Sequence, residues 1–225
     1  MGKNLSLAVP LLPAQIAAAE RLHARSRQWR VSDGALHALA RRFPDFGDEA
    51  VVLKSVAINA LYGTNIFAIT RMAEHAKGVI ATTDLASAGP ELVEQLAALP
   101  KTAKQKKPRL YLSFASKFAH FFVDSERFPI LDNYAAKTLV FHLGEKNMVA
   151  RPGHPYMAFV ENLLRLRTAA GLACSTRELD HYLWVAGEYR AWREKRAKIN
   201  VEMENLFKKP SAEDKANLRL LLAEL

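Results

Sequence analysis

Leu112-Ser113-Phe114-Ala115-Ser116-Lys117-Phe118-Ala119-His120-Phe121-Phe122, followed by Phe128-Pro129-Ile130-Leu131-Asp132-Asn133-Tyr134, is the stretch on which the reading of this chain turns. Its apolar side chains recur at helical spacing with no period-two alternation, which predicts a helix over roughly Ser116 to Val123. Pro129 interrupts the pattern, and Asp132 stands where a second helix, expected from Asn133 to Leu143, needs an N-cap. Lys117, flanked by Phe114, Phe118 and Phe121, is the residue in this run that packing alone does not explain.

The helical period continues along almost the whole chain, and stretches rich in Val, Ile and Thr with strand alternation are nearly absent, so the fold class is all-α. Further helices are expected at about Ala14 to Trp29, Asp33 to Arg42, Glu49 to Leu61, Asn65 to Lys77 and Pro90 to Leu99. Beyond the opening stretch they are expected at Pro155 to Ala170, Thr176 to Lys198 and Ala212 to Leu225. Ser175 and Glu178 have capping-box spacing, and Ser32 and Ser211 are candidate caps. No internal repeat or low-complexity tract interrupts this pattern.

The 225 residues are half hydrophobic, enough for a real core in one domain or two small lobes. Thirty-two Lys and Arg against 23 Asp and Glu leave a net charge of +9, with a sequence pI near 9.7. Such a balance favours an anionic partner, of which nucleic acid is the commonest. Lys101 to Arg109, bounded by Pro100 and Pro108 and carrying Lys101, Lys104, Lys106, Lys107 and Arg109, reads as an exposed basic loop or hairpin. The single Cys174 excludes an intramolecular disulfide and a cysteine-cluster metal site. No membrane span or export segment is expected, and the expected location is the cytoplasm. HExxH, phosphate-loop and EF-hand patterns are absent, which disfavours zinc hydrolases, nucleotide-triphosphate enzymes and calcium binding.

Gly63-Thr64-Asn65-Ile66-Phe67-Ala68-Ile69-Thr70-Arg71-Met72-Ala73-Glu74 can be read simply as an amphipathic helix with Ile66, Ile69 and Met72 inward. It also resembles the Asn-rich turn and following helix of 8-oxoguanine DNA glycosylases, matching at Asn65, Ile66, Ile69, Thr70, Met72 and Glu74. Gly63 and Thr64 depart from that family's Asn triplet, leaving Tyr62 or Asn65 to fill the space of an extruded base. The Leu112 to Tyr134 stretch looks like the hairpin, lysine helix, proline and aspartate of the same helix-hairpin-helix (HhH-GPD) DNA glycosylase superfamily. Lys117 then matches the catalytic lysine and Asp132 the catalytic aspartate. Their interval of 15 residues is a few shorter than usual, which a tighter loop at Ser125 to Arg127 absorbs. Phe114, Ala115 and Ser116 stand where family hairpins carry Gly-x-Gly, so a phosphate contact there would fall to the Ser113 or Ser116 hydroxyl and nearby lysines.

The resemblance implies two helical lobes with a DNA-binding cleft between them, one of residues 48–131 and the other of 1–47 plus 132–225. It implies a monomer acting on double-stranded DNA, with no cofactor and no metal. The implied activity is excision of a flipped base, with abasic-site lyase activity. Cleaving an N-glycosidic bond develops oxocarbenium character, which a carboxylate such as Asp132 stabilises. A lysine amine such as Lys117 captures the sugar only in its neutral form, which an apolar pocket favours. Oxidised guanine is the default substrate, and the altered turn and hairpin admit a hypermodified, phage-type base, which would make the protein an antiphage defence factor. The alternative is a non-catalytic DNA-binding protein on the same scaffold.

Three further residues are candidates for the base pocket. His120 shares a helix face with Lys117, although a histidine among phenylalanines is commonly a satisfied core residue. Trp184 could stack on a flipped base, or be core, with Asp180 one turn before it. Tyr134 occupies the place of a family phosphate contact and is a candidate DNA ligand. The basic run Arg190, Arg193, Lys195, Arg196 and Lys198 reads as a solvated helix.

Overall fold

The computed structural model describes residues 5–101, 103, 109–195 and 198–221, and among these the regular structure is entirely helical. In chain order the helices are α1 (Pro13–His23), α2 (Arg27–Arg42), α3 (Asp48–Tyr62), α4 (Ile69–Ala81), α5 (Glu91–Ala97) and α6 (Leu112–Phe122). They continue with α7 (Asn133–Leu143), α8 (Pro155–Ala169), α9 (Thr176–Glu194), α10 (Val201–Lys208) and α11 (Ala212–Leu221). Among the described residues no helix is long and apolar enough to cross a membrane.

The chain divides into two compact units. One comprises Ser32–Leu131 and Arg151–Val160 and carries Lys117; we call it the lysine unit. The other comprises Met1–Val31, Asp132–Ala150 and Glu161–Leu225 and carries Asp132; we call it the aspartate unit.

In the lysine unit, α3 packs on α4 and α6, and α5 packs on α4 and α6. The core is formed by Ile58, Met72, Leu92, Leu96, Phe114, Phe118 and Phe128, all at most 1% exposed. Arg127 ties the loop before α5 to the end of α6: its guanidinium donates to the carbonyls of Leu85, Ala86 and Ala88 and to Asp124. Glu94 accepts from the backbone of Tyr156 and Met157, capping the start of α8 with a side chain from α5. Buried Tyr156 donates to the Pro129 carbonyl at 2.8 Å.

In the aspartate unit, α9 packs against α1, α7 and α10, and α1 against α11. Buried His142 joins α7 to the segment before α1 and to α9: Nδ1 donates to the Val9 carbonyl, so Nε2 accepts from the Tyr182 hydroxyl at 2.8 Å. Ser175 and Glu178 form the expected capping box of α9, and the Ser211 hydroxyl accepts from the Asp214 amide at α11.

Several expected boundaries move for identifiable reasons. The helix expected to run to Trp29 ends at His23, and α2 begins at Arg27. Its start is served by Glu202, which accepts from the Ser26 hydroxyl and the Gln28 amide at 2.7 and 2.9 Å. Ser32 is therefore no cap, and lies inside α2 at 5% exposure. Residues 65 to 68 form a turn before α4 instead of its first turn. α9 stops at Glu194 because Lys195 takes the left-handed conformation with φ of 52°. A further helix, α10, follows under an Asn200 cap that accepts from Glu202 and Met203.

Candidate functional site

The resemblance aligns Phe114, Ala115 and Ser116 with a hairpin, whereas in the structure all three lie within α6 and are at most 1% exposed. The Tyr111 amide, just before α6, donates to the Ala97 carbonyl at the end of α5 at 2.9 Å. Tyr111 offers α6 no side-chain cap, so no capping residue marks the true start of this helix. Of the basic run between α5 and α6, Lys101 and Arg109 are exposed, and Arg109 lies over the Tyr111 ring at 5.1 Å. Lys104, Lys106 and Lys107 lie outside the described residues.

Lys117 sits in the middle of α6 at 4% exposure. Its Nζ reaches back one turn to the exposed Ser113, donating to Oγ at 2.8 Å and to the carbonyl at 3.2 Å. The Tyr62 ring, from the end of α3, lies 5.5 Å from the ammonium, and the Tyr62 hydroxyl donates to Asp33 Oδ1. Tyr62 also packs on Phe121 at 5.6 Å. An amine is thus buried, with the Tyr62 ring of α3 nearby, yet aimed at the exposed first turn of its own helix. The Ser116 hydroxyl donates to the same Ser113 carbonyl at 3.4 Å and accepts from the Leu131 amide at 3.1 Å. His120 is 4% exposed and donates from Nδ1 to the Phe128 carbonyl at 3.0 Å, a bond that fixes the chain between α6 and Pro129.

The turn between α3 and α4 belongs to the same unit. Gly63 and Asn65 both take left-handed conformations, with φ of 57° and 56°; glycine has no Cβ to clash there, and asparagine tolerates the region better than most residues. Asn59 staples the turn: its amide donates to the Ile66 carbonyl while its oxygen accepts from the Ile66 amide and the Thr64 hydroxyl. Ile66 is buried at 3% exposure, Asn65 is exposed, and Phe67 is 95% exposed.

In the aspartate unit, Asp132 caps α7, its Oδ1 accepting from the Ala135 amide at 2.7 Å. Tyr134, in the first turn, donates to the Lys198 carbonyl at 3.2 Å, and burial raises its phenol pKa. Behind this turn α9 comes unusually close, because a Cβ on Gly187 would lie 2.7 Å from the Tyr134 Cβ and 2.8 Å from its carbonyl oxygen. That approach brings in Glu188, 3% exposed, with Oε2 accepting from the Asn200 amide at 3.0 Å. Burial, with a contribution from the Asp132 charge, pushes the Glu188 carboxyl up to about 7. The sequence reading missed Glu188, and its local signal is Gly187 in the middle of a helix. Asp180 is buried at 6% exposure on the same helix. Trp184 packs edge-on against Trp29 at 5.2 Å and His23 at 5.8 Å. His23 itself stacks on His181 at 3.7 Å, and burial lowers its pKa to about 3.

The structure therefore gathers Lys117, Ser113 and Tyr62 in one unit, and Asp132, Tyr134 and Glu188 in the other. Trp184 stands with Trp29 and His23 in an aromatic cluster of the aspartate unit.

A model of the HI_0787_N family, described as an N-terminal domain, matches residues 15–126, a range that includes Tyr62, Phe67 and Lys117 and stops before Asp132. No solved structure matches. The chain is similar to an uncharacterized protein of Haemophilus influenzae, 30% identical over 142 residues, which span 61% of this chain and 66% of that protein's length.

Proposed function

We propose that the protein is a DNA glycosylase that excises a damaged or modified base and opens the resulting site through Lys117. The observation that carries this reading is the placement of Lys117, a buried amine beside the Tyr62 ring that is held by Ser113 at the exposed first turn of its helix. Surface lysines do not require such a setting, whereas an amine that must attack a sugar carbon does. The neutral Lys117 amine forms a bond to C1′ as the base departs with the glycosidic electron pair and takes up a proton; the amine then loses a proton, the C1′–O4′ bond opens with O4′ protonated, and the imine so formed permits β-elimination of the 3′ phosphate. Asp132 takes the role of the carboxylate that stabilises positive charge on the sugar. Ser113 positions the amine, and Lys101, Arg109 and the neighbouring lysines supply phosphate contacts.

Two substrate classes fit this chemistry, oxidised guanine and a hypermodified base of the kind phage genomes carry; the second makes the protein an antiphage defence factor. Mass spectrometry of bases released from oxidised, deaminated, alkylated and phage-modified DNA separates them. Release by the wild type, lost in Asp132→Asn and in Lys117→Gln, is the expected result. A covalent adduct trapped by borohydride with wild type but not with Lys117→Gln identifies the imine.

A second reading, a non-catalytic DNA-binding protein, is favoured by the helical state of Phe114 to Ser116, which removes the hairpin that family members use to hold phosphate. It predicts DNA binding without release of any base.

A further inference from the structure

We propose that Glu188 works with Asp132 as the second carboxylate of one centre, a positioning residue that holds a proton and, by giving it up, sets how much negative charge the start of α7 presents. The inference rests on the reading of Asp132 as the carboxylate that stabilises charge on the sugar, and it gives a role to a buried acid that the mechanism leaves unused.

The local packing brings Glu188 to that place. α9 meets the first turn of α7 at Gly187, where a Cβ would lie 2.7 Å from the Tyr134 Cβ, 2.8 Å from the Tyr134 carbonyl oxygen and 2.9 Å from the Thr138 hydroxyl. A residue without a side chain permits this approach, and it carries the next residue, Glu188, to the turn that Asp132 caps. The chain after α9 closes the same spot. The Asn200 amide donates to Glu188 Oε2 at 3.0 Å, and two residues earlier the Lys198 carbonyl accepts from the Tyr134 hydroxyl.

Glu188 is 3% exposed and, among the described residues, pairs with no cation. Arg190, two positions along α9, lies over the Phe141 ring and pairs with Glu194. Of the charged groups on the other helices packed against α9, Glu20 and His23 of α1 meet His181 two turns earlier, and on α10 Glu202 binds Ser26 while Glu204 pairs with Lys208. Lys137 of α7 and Lys198 are exposed to solvent. A buried carboxylate without a cation is costly to ionise. Burial accordingly pushes Glu188 up to about 7, and the Asp132 charge adds to the rise. The Tyr134 phenol is raised by burial and then by the charges of Glu188 and Asp132, so one ring registers both acids. Asp132 is the better place for charge, because it accepts from the Ala135 amide at the positive end of an 11-residue helix. Two neighbouring acids with such unequal surroundings divide the work, one bearing the charge and the other the proton. Loss of that proton adds a second negative charge beside Asp132, which favours positive charge developing on a sugar.

The test uses the full-length protein, first without DNA. The Glu188 carboxyl, identified in a glutamate-labelled NMR sample by its loss in Glu188→Gln, should titrate at about pH 7 in wild type. In Asp132→Asn, where asparagine still caps α7 without a charge, the midpoint should fall by about half a pH unit or more. Single-turnover base release is then followed from pH 6 to 8.5. The ratio of the wild-type rate to that of Glu188→Gln should grow about threefold to tenfold over this range, because titration of Lys117 is common to both proteins and cancels. Circular dichroism at both limits keeps a loss of fold from being read as a rate. A Glu188 midpoint unmoved by Asp132→Asn overturns the proposal, as does a rate ratio that stays flat. A midpoint that moves in a protein that releases no base from any DNA supports the paired centre and rejects the glycosylase reading, so the two failures are distinguishable.

Discussion

Among its described residues the lysine unit buries two lysines, and their surroundings differ in a way that separates packing from chemistry. Lys54, on α3, is 1% exposed; its Nζ donates to the Asp45 carbonyl at 2.6 Å and lies 3.8 Å from the Phe46 ring centre. The Phe122 ring centre lies 5.3 Å away. This ammonium is spent on holding the chain before α3, and burial lowers its pKa to about 8. Lys117 is buried to a similar degree but bonds to the first turn of its own helix, at a serine open to solvent. Burial of an amine is therefore weak evidence of catalysis. Its direction relative to the surface is the better guide.

The largest expected effect tests that contrast directly. Lys117→Gln should lower base release by about 10³-fold or more, equivalent to roughly 4 kcal/mol of barrier, while Lys54→Met stays within about threefold of wild type. Rates measured on the same DNA decide it, and comparable losses in both variants would erase the distinction drawn here.

Lys54 should instead appear in stability. Its folded pKa is depressed, so the stability it contributes is present above its unfolded value near 10.5 and is lost as pH falls toward about 8. Urea titrations should show wild type gaining up to about 3 kcal/mol relative to Lys54→Met between these limits. Glu188 gives the mirror image. Its folded pKa is raised, so its contribution is complete below about 4.5 and lost as pH climbs through about 7. Against Glu188→Gln, wild type should lose as much as about 3 kcal/mol from pH 4.5 to 8. The smallest effect is expected at Ser113. Replacing it by Ala removes one bond to Lys117 and leaves the carbonyl contact, so release should fall only about threefold to tenfold, as the loss of one hydrogen bond of about 1 kcal/mol implies.

Fold class was legible because the helical period depends on local spacing. Boundaries failed where the deciding contact was distant in sequence: Glu202 sets the start of α2, and α6 begins at an uncapped Tyr111 that bonds Ala97. Lys117 stood out as a cation in an aromatic run, and Asp132 as a cap. Phe67 was indistinguishable from a core residue because exposure is a property of the turn that Asn59 fixes. Glu188 was hidden because its neighbours come from α7 and from the segment at Asn200, and the mid-helix Gly187 marks a close approach without saying what approaches.

The way Tyr156 and Glu94 join residues 151–160 to the lysine unit has a consequence for biosynthesis. The segment returns only after Asp132–Ala150, which belong to the aspartate unit. A ribosome that has just finished α6 thus holds a lysine unit still lacking its buried tyrosine, and must extend through part of the next unit before the first can close. Neither unit is a contiguous stretch of chain, so their folding should be coupled during translation, and a pause between residues 131 and 156 would expose the half-built core around Phe128 to misassembly.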